Sequence, residues 1–102
     1  MELLTVHGIR VALASDEVSP VIWQALTSGS YEAKEAKGVI KAVRPNDRVL
    51  ELGTGIGVIT SIIAKVQGVR VWSFEANAST AALAHRVISA NDLRNVVLSK
   101  EY

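Results

Sequence analysis

The 102 residues predict an α/β fold built on a small parallel sheet. Three observations carry that expectation. Beyond residue 46 the chain alternates short apolar strands with helical stretches, in the order strand, helix, strand, helix, strand. A glycine loop, Gly53-Thr54-Gly55-Ile56-Gly57, stands at the first strand-to-helix junction. An acid, Glu75, stands at the end of the second strand, 18 residues beyond Gly57.

The N-terminal part precedes this rhythm. Leu4-Thr5-Val6 and Ile9 to Leu13 alternate around His7-Gly8 and read as a hairpin with a two-residue turn. Ser19-Pro20 opens a helix: Ser19 suits the cap, and Pro20 suits a first position that needs no N–H. Val18 and Trp23 occupy the two positions of a hydrophobic staple, and Gly29 ends the helix. Ser30 is expected to cap a second helix over 31–43, with Ala33, Ala36, Val39, Ile40 and Val43 on its apolar face. Glu32 and Glu35 fall where the helix dipole favours acids. Arg44-Pro45-Asn46-Asp47 is a turn.

In the second part, strands are expected at 48–52, 69–74 and 95–98, with helices at 57–66 and 78–91. The last helix carries Leu83, Ala84, Val87 and Ile88 on one face. Right-handed crossovers place the three strands in the order 3-2-1. The whole is a Rossmann-like sheet within one domain, residues 1–102, with the hairpin and helices at 1–45 and a βαβαβ core at 46–102. Its loops at 53–57 and 75–77 share the rim at the carboxyl ends of the strands, where open α/β sheets bind ligands.

Composition excludes several classes of function. Hydrophobic residues at 49% and charged residues at 21% describe a globular chain. The net charge of +1, without a basic block or aromatic-basic stripe, gives no nucleic-acid surface. The chain has no cysteine, and neither His7 nor His85 has a partner at metal-ligand spacing, so no metal site is expected. The N-terminus does not read as a signal peptide, and apolar runs fall far below the roughly 18 residues of a membrane helix. A cytoplasmic protein is the expectation.

The rim carries the chemistry. Glycines at 53, 55 and 57 permit a tight turn and close ligand approach. A carboxylate at Glu75 can accept hydrogen bonds from two vicinal hydroxyls, as on a ribose. Together they imply an adenosine-containing ligand. A phosphate-cradling GxxxxGK[ST] loop is absent, and the third glycine of the dinucleotide pattern would fall on Val58. Glu51 beside the loop suits an ammonium group and opposes a pyrophosphate.

The run Glu51-Leu-Gly53-Thr-Gly55-Ile-Gly57, followed by Phe74-Glu75-Ala76-Asn77, resembles motif I and the acidic motif of class I S-adenosylmethionine-dependent methyltransferases. Residues 29–98, which also carry Gly29-Ser-Tyr31-Glu32, resemble the FkbM-like branch in particular. The resemblance implies S-adenosylmethionine as cofactor. Gly53, Thr54, Gly55 and Gly57 would line its methionine end, with Tyr31 and Glu32 bordering it. Glu51 would hold its amino group, Glu75 its ribose, and Ala76 would lie along the adenine. It also implies O-methyl transfer to a small molecule or sugar. Ala76 and Ala78 replace prolines usual in the branch, which loosens that loop. The family's further strands and acceptor-side residues have no counterpart in the sequence, so the expectation is the cofactor-binding half, with no catalytic residue assigned.

Two other readings stand beside this one. One is an NAD- or nucleotide-binding Rossmann fragment. The other is a non-catalytic interaction protein, since a bare edge on the first strand favours pairing with a second copy. Among single residues, Trp23 and Trp72 read as core, Tyr31 as a core aromatic of the second helix, and Lys34, Lys37 and Lys41 as a solvated face.

Overall fold

The computed structural model describes residues 1–100. Strands β1 (Glu2–Val6) and β2 (Ile9–Leu13) form an antiparallel hairpin with Val6 opposite Ile9. Its turn residues His7 and Gly8 both have positive φ, 50° and 80°, as a twist-matched two-residue turn requires. The His7 Nε2–H donates to the Tyr31 carbonyl at 2.6 Å, so this histidine is structural. A single 3₁₀ turn at Ser15–Glu17, not anticipated, leads into α1 (Pro20–Ser28). Ser19 caps α1 by accepting from the Ile22 N–H at 3.2 Å, and Gly29 closes it in the left-handed conformation.

The second helix departs from expectation. Ser30 does not cap it: the N–H groups of Ser30 and Tyr31 both turn back to the Ala25 carbonyl and finish α1. Helix α2 therefore runs over Ala33–Ala42, behind Glu32 at φ 45°. Ala36 is its buried contact, and Ile40 is 65% exposed rather than part of the apolar face. Tyr31 thus precedes the helix.

The remaining elements are β3 (Arg48–Leu52), α3 (Val58–Ala64), β4 (Arg70–Phe74), α4 (Ala78–Ala90) and β5 (Val96–Ser99). The strands are parallel in the order β3-β4-β5, the expected 3-2-1 arrangement. Asn95 stands just before β5, where its side chain donates to the carbonyls of Ala64 and Val69 and ties α3 to the start of β4. Every residue of α3 is buried, as befits a helix enclosed on all sides. It packs on β4, α2, α4 and the hairpin. Three layers result: the sheet, the pair α3 and α4, and the hairpin outside them.

The opposite face of the sheet is bare among the described residues. Leu50 and Leu52 are each 67% exposed and Val97 is 55% exposed. Trp72 shares this face by register with Leu50 and Val97, so it is half-buried and outside the core cluster, contrary to the expectation that it is core. Trp23 does pack against the core. No helix among the described residues is long and apolar enough to cross a membrane.

The hairpin is locked onto α4 by side chains. Asn91 accepts from the Arg10 N–H at 2.9 Å and donates to the Arg10 carbonyl at 2.8 Å, imitating a neighbouring strand. Arg86 forks onto both carboxylate oxygens of Glu17 at 2.8 and 2.9 Å. The guanidinium holds the Glu17 carboxyl at about 2, but both groups are solvent-facing and add little to stability. Asn91 is buried, so Asn91→Ala strands two backbone groups. A loss of about 1–3 kcal/mol in chemical denaturation is expected. A variant as stable as wild type would remove Asn91 from this role.

Candidate functional site

β3 delivers the chain to the carboxyl rim of the sheet, and residues 53–57 turn it back into α3. The turn wraps over the end of β4. The Phe74 carbonyl accepts from the N–H groups of Gly53 at 2.8 Å and Thr54 at 3.1 Å. The Glu75 carboxylate then takes one amide on each oxygen: Gly55 N–H on Oε1 at 2.9 Å and Asn77 N–H on Oε2 at 3.1 Å.

The three glycines have different reasons to lack a side chain. All have positive φ, 88°, 59° and 89° in order. A Cβ on Gly57 would lie 3.3 Å from the Ala84 Cα and carbonyl oxygen, so this glycine lets α4 approach α3. It therefore has a packing role of its own, whatever the loop binds. A Cβ on Gly55 would lie 3.8 Å from the Tyr31 hydroxyl, and one on Gly53 would meet nothing within 4 Å.

A cleft of about 530 Å³ runs along β3 between the sheet and α2, ending at Glu51, Gly53 and Thr54. Val39, Val43, Val49, Ile59 and Ile63 give it apolar walls, while Glu32, Glu35 and Glu51 bring three carboxylates to it. Glu51 is the best held of these. Its Oε1 accepts from the hydroxyls of Thr60 and Ser73, the latter at 2.6 Å. Ser73 in turn pairs with the Thr54 hydroxyl at 2.6 Å. Thr54 therefore borders the cleft with its side chain turned inward.

Of the residues singled out in the sequence, the structure gathers Glu51, Gly53 and Thr54 at the cleft end, with Gly55 and Glu75 joined beside them. Ala76 is exposed next to Glu75. Tyr31 is half-buried with its hydroxyl against Gly55; burial, helped by Glu32, pushes the phenol above its ordinary range, so it stays a hydrogen-bond donor. His85 and Lys34, Lys37 and Lys41 are exposed. No group of His, Asp and Glu suited to a metal ion occurs among the described residues. Sequence reading missed Ser73 and Thr60. Both are polar residues inside apolar stretches, RVWSF and VITSIIA, and that mismatch is the signal that could have found them.

Burial pushes the Glu51 carboxyl above its ordinary 4.5, against the opposing pull of Ser73 and Thr60, and the Glu32 charge adds to the rise. A carboxyl with a raised folded-state value favours folding when protonated. That contribution is complete below the unfolded value and is lost as pH rises through the folded one. Glu51→Gln keeps an acceptor oxygen and removes the charge. Its melting temperature is expected to exceed wild type at pH 7, with the gap closing below 4.5 in a pH series. An equal or lower melting temperature at pH 7 contradicts this account.

No family model and no curated protein sequence matches the chain. Solved structures do. The tRNA (m1A58) methyltransferase TrmI from Aquifex aeolicus is 28% identical with a TM-score of 0.62, over 71% of this chain and 30% of that one. Trm5b from Pyrococcus abyssi is 21% identical with a TM-score of 0.69, over 96% of this chain and 28% of that one. An S-adenosylmethionine-dependent O-methyltransferase from Thermotoga maritima is 20% identical with a TM-score of 0.63, over 71% and 29%. This chain thus spans under a third of the length of each. Over that span it has the Rossmann-like fold of class I S-adenosylmethionine-dependent methyltransferases, with an antiparallel hairpin ahead of the parallel sheet.

Proposed function

We propose that the chain is the donor-binding part of a methyltransferase and that its cofactor is S-adenosylmethionine. One observation carries this reading. The Glu75 carboxylate is fixed by two amides, one from the glycine loop, and each oxygen still has an acceptor site to spare. Two parallel acceptors held at the rim suit the vicinal hydroxyls of a ribose. Gly53 and Gly55 then offer backbone without side chains to the rest of the ligand, and Ala76 lies where an adenine would follow. Glu51 meets the amino group. The acidic cleft also favours the ligand's sulfonium, since carboxylates in a half-buried site attract a cation more strongly than in water.

The sulfonium supplies an activated methyl group when bound. What these residues contribute is binding and orientation, which account for much of the catalysis in such transfers. The same three carboxylates bear on the acceptor. They repel the phosphates of an RNA, and the sequence offers no basic stripe to compensate. A hydroxyl of a small molecule or sugar is therefore the acceptor class favoured, in keeping with the FkbM-like pattern of residues 29–98, although structural neighbours include RNA methyltransferases.

Calorimetric titration with S-adenosylhomocysteine tests the reading. Glu75→Ala is expected to weaken binding by about 1–3 kcal/mol, the scale of a lost charged acceptor. NAD is expected not to compete. Failure of the folded chain to bind, or displacement by NAD, overturns the proposal.

A further inference from the structure

Four polar side chains beneath the glycine loop make more hydrogen bonds to one another than packing requires. Thr54 comes from the loop, Ser73 from β4, Thr60 from α3 and Glu51 from β3. Thr54, Thr60 and Ser73 are buried, the last two completely. The proton inventory fixes the direction of every bond. Ser73 has one hydroxyl proton and donates it to Glu51 Oε1 at 2.6 Å. The contact between Ser73 and Thr54 at 2.6 Å must then be a donation from Thr54. Thr60 donates its proton to the same Oε1. All three protons thus run toward one carboxylate oxygen.

Glu51 Oε2 takes neither bond, and no buried side-chain oxygen among the described residues lacks a partner, so Oε2 is the oxygen left to the cleft. The charged groups sharing that cleft are Glu32 and Glu35 of the α2 segment, both acidic. Glu32 opposes ionisation of Glu51, while α3 and β4 contribute only the neutral hydroxyls of Thr60 and Ser73. An arrangement that spends three buried hydroxyls against a like-charged surrounding is suited to keeping an anion in place.

We propose that Thr60 and Ser73, backed by Thr54, are positioning residues whose hydroxyl relay holds Glu51 as an ionised acceptor aimed into the cleft for the ammonium group of the ligand. The ligand half of this inference rests on the methyl-donor reading above; the relay itself does not. Because Thr54 belongs to the loop, the relay also fixes loop geometry to the state of Glu51.

Two readouts separate the halves. The first follows the Glu51 carboxyl carbon by NMR through a pH titration of the ligand-free chain. Ser73→Ala and Thr60→Val are each expected to raise its midpoint by about one pH unit, the effect of losing a hydrogen bond to the charged form. Thr60→Ser, which keeps the hydroxyl, is expected to restore it. The second compares S-adenosylhomocysteine with 5′-methylthioadenosine, which keeps the adenosine and lacks the amino acid. At a pH below the Glu51 midpoint, where the ionised fraction falls tenfold per unit, affinity for the first is expected to fall about tenfold in Ser73→Ala and Thr60→Val. Affinity for the second is expected to stay within about twofold. An unmoved midpoint in both variants overturns the relay, and equal losses for both ligands reduce it to a structural role. If wild type binds neither ligand, the methyl-donor reading fails and the midpoint alone decides: movement supports the relay, and its absence overturns it.

Discussion

The turn between β3 and α3 is the constraint on which the structure depends. Within five residues the chain must leave the sheet, cross the end of β4 and enter a helix buried on every side. Phe74 makes this feasible by offering one carbonyl to two successive amides of the turn. That leaves almost no freedom for the loop. Gly53, Gly55 and Gly57 all take positive φ, a region where side chains are strained. Gly57 must in addition lie under Ala84, or α4 cannot seat against α3. The hairpin then depends on α4, since Asn91 reaches Arg10 and Arg86 donates to the Ala12 carbonyl from that helix. The loop therefore shapes the rim and also sets the distance between layers.

Burying such a turn creates a polar problem, and its solution is the site. Amides at the start of a buried helix and hydroxyls inside α3 need partners. Ser61 returns its proton to the Gly57 carbonyl at 2.6 Å, while Thr60 and Ser73 turn to Glu51. Gly55 turns to Glu75. Each carboxylate is thus bound on one side by the protein's own donors and keeps acceptor capacity on the other. This is preorganisation in its physical sense: the ordering is done before a ligand arrives, so less is lost on binding. The cost is visible at Glu51, whose ionised form burial disfavours.

Most of the architecture was legible in the sequence. The alternation after residue 46, the glycine loop and the caps at Ser19 and Gly29 fixed the strand order and α1, because each is a local signal with one structural outcome. Ser30 misled because a cap residue directly after a helix-ending glycine can serve either helix, and the hydrogen bonds to Ala25 decided it. Trp72 misled for another reason. A large aromatic inside a strand reads as core, but its place in the strand does not say whether the face it points to is covered. The site was legible as a set of carboxylates and glycines. The hydroxyls holding them were not, since serine and threonine carry no distinctive pattern until β4 and α3 bring residues 13 positions apart onto one oxygen.

The bare face of the sheet sharpens the contrast between its two sides. Parallel strands are ordinarily covered on both faces, because their crossovers place helices there. Here α3 and α4 lie on one side, and that side holds every polar device of the rim: Glu51, Ser73 and Thr60 all project into it. The other side shows Leu50, Leu52, Trp72 and Val97 with no polar side chain between them along β3 and β4 except the terminal arginines Arg48 and Arg70. A solvated sheet face would alternate polar residues outward. This one does not, so the pattern of β3 and β4 is that of strands enclosed on both sides. The two sides meet at the edge strand β3, where Leu50 and Leu52 join Glu51 in lining one cleft.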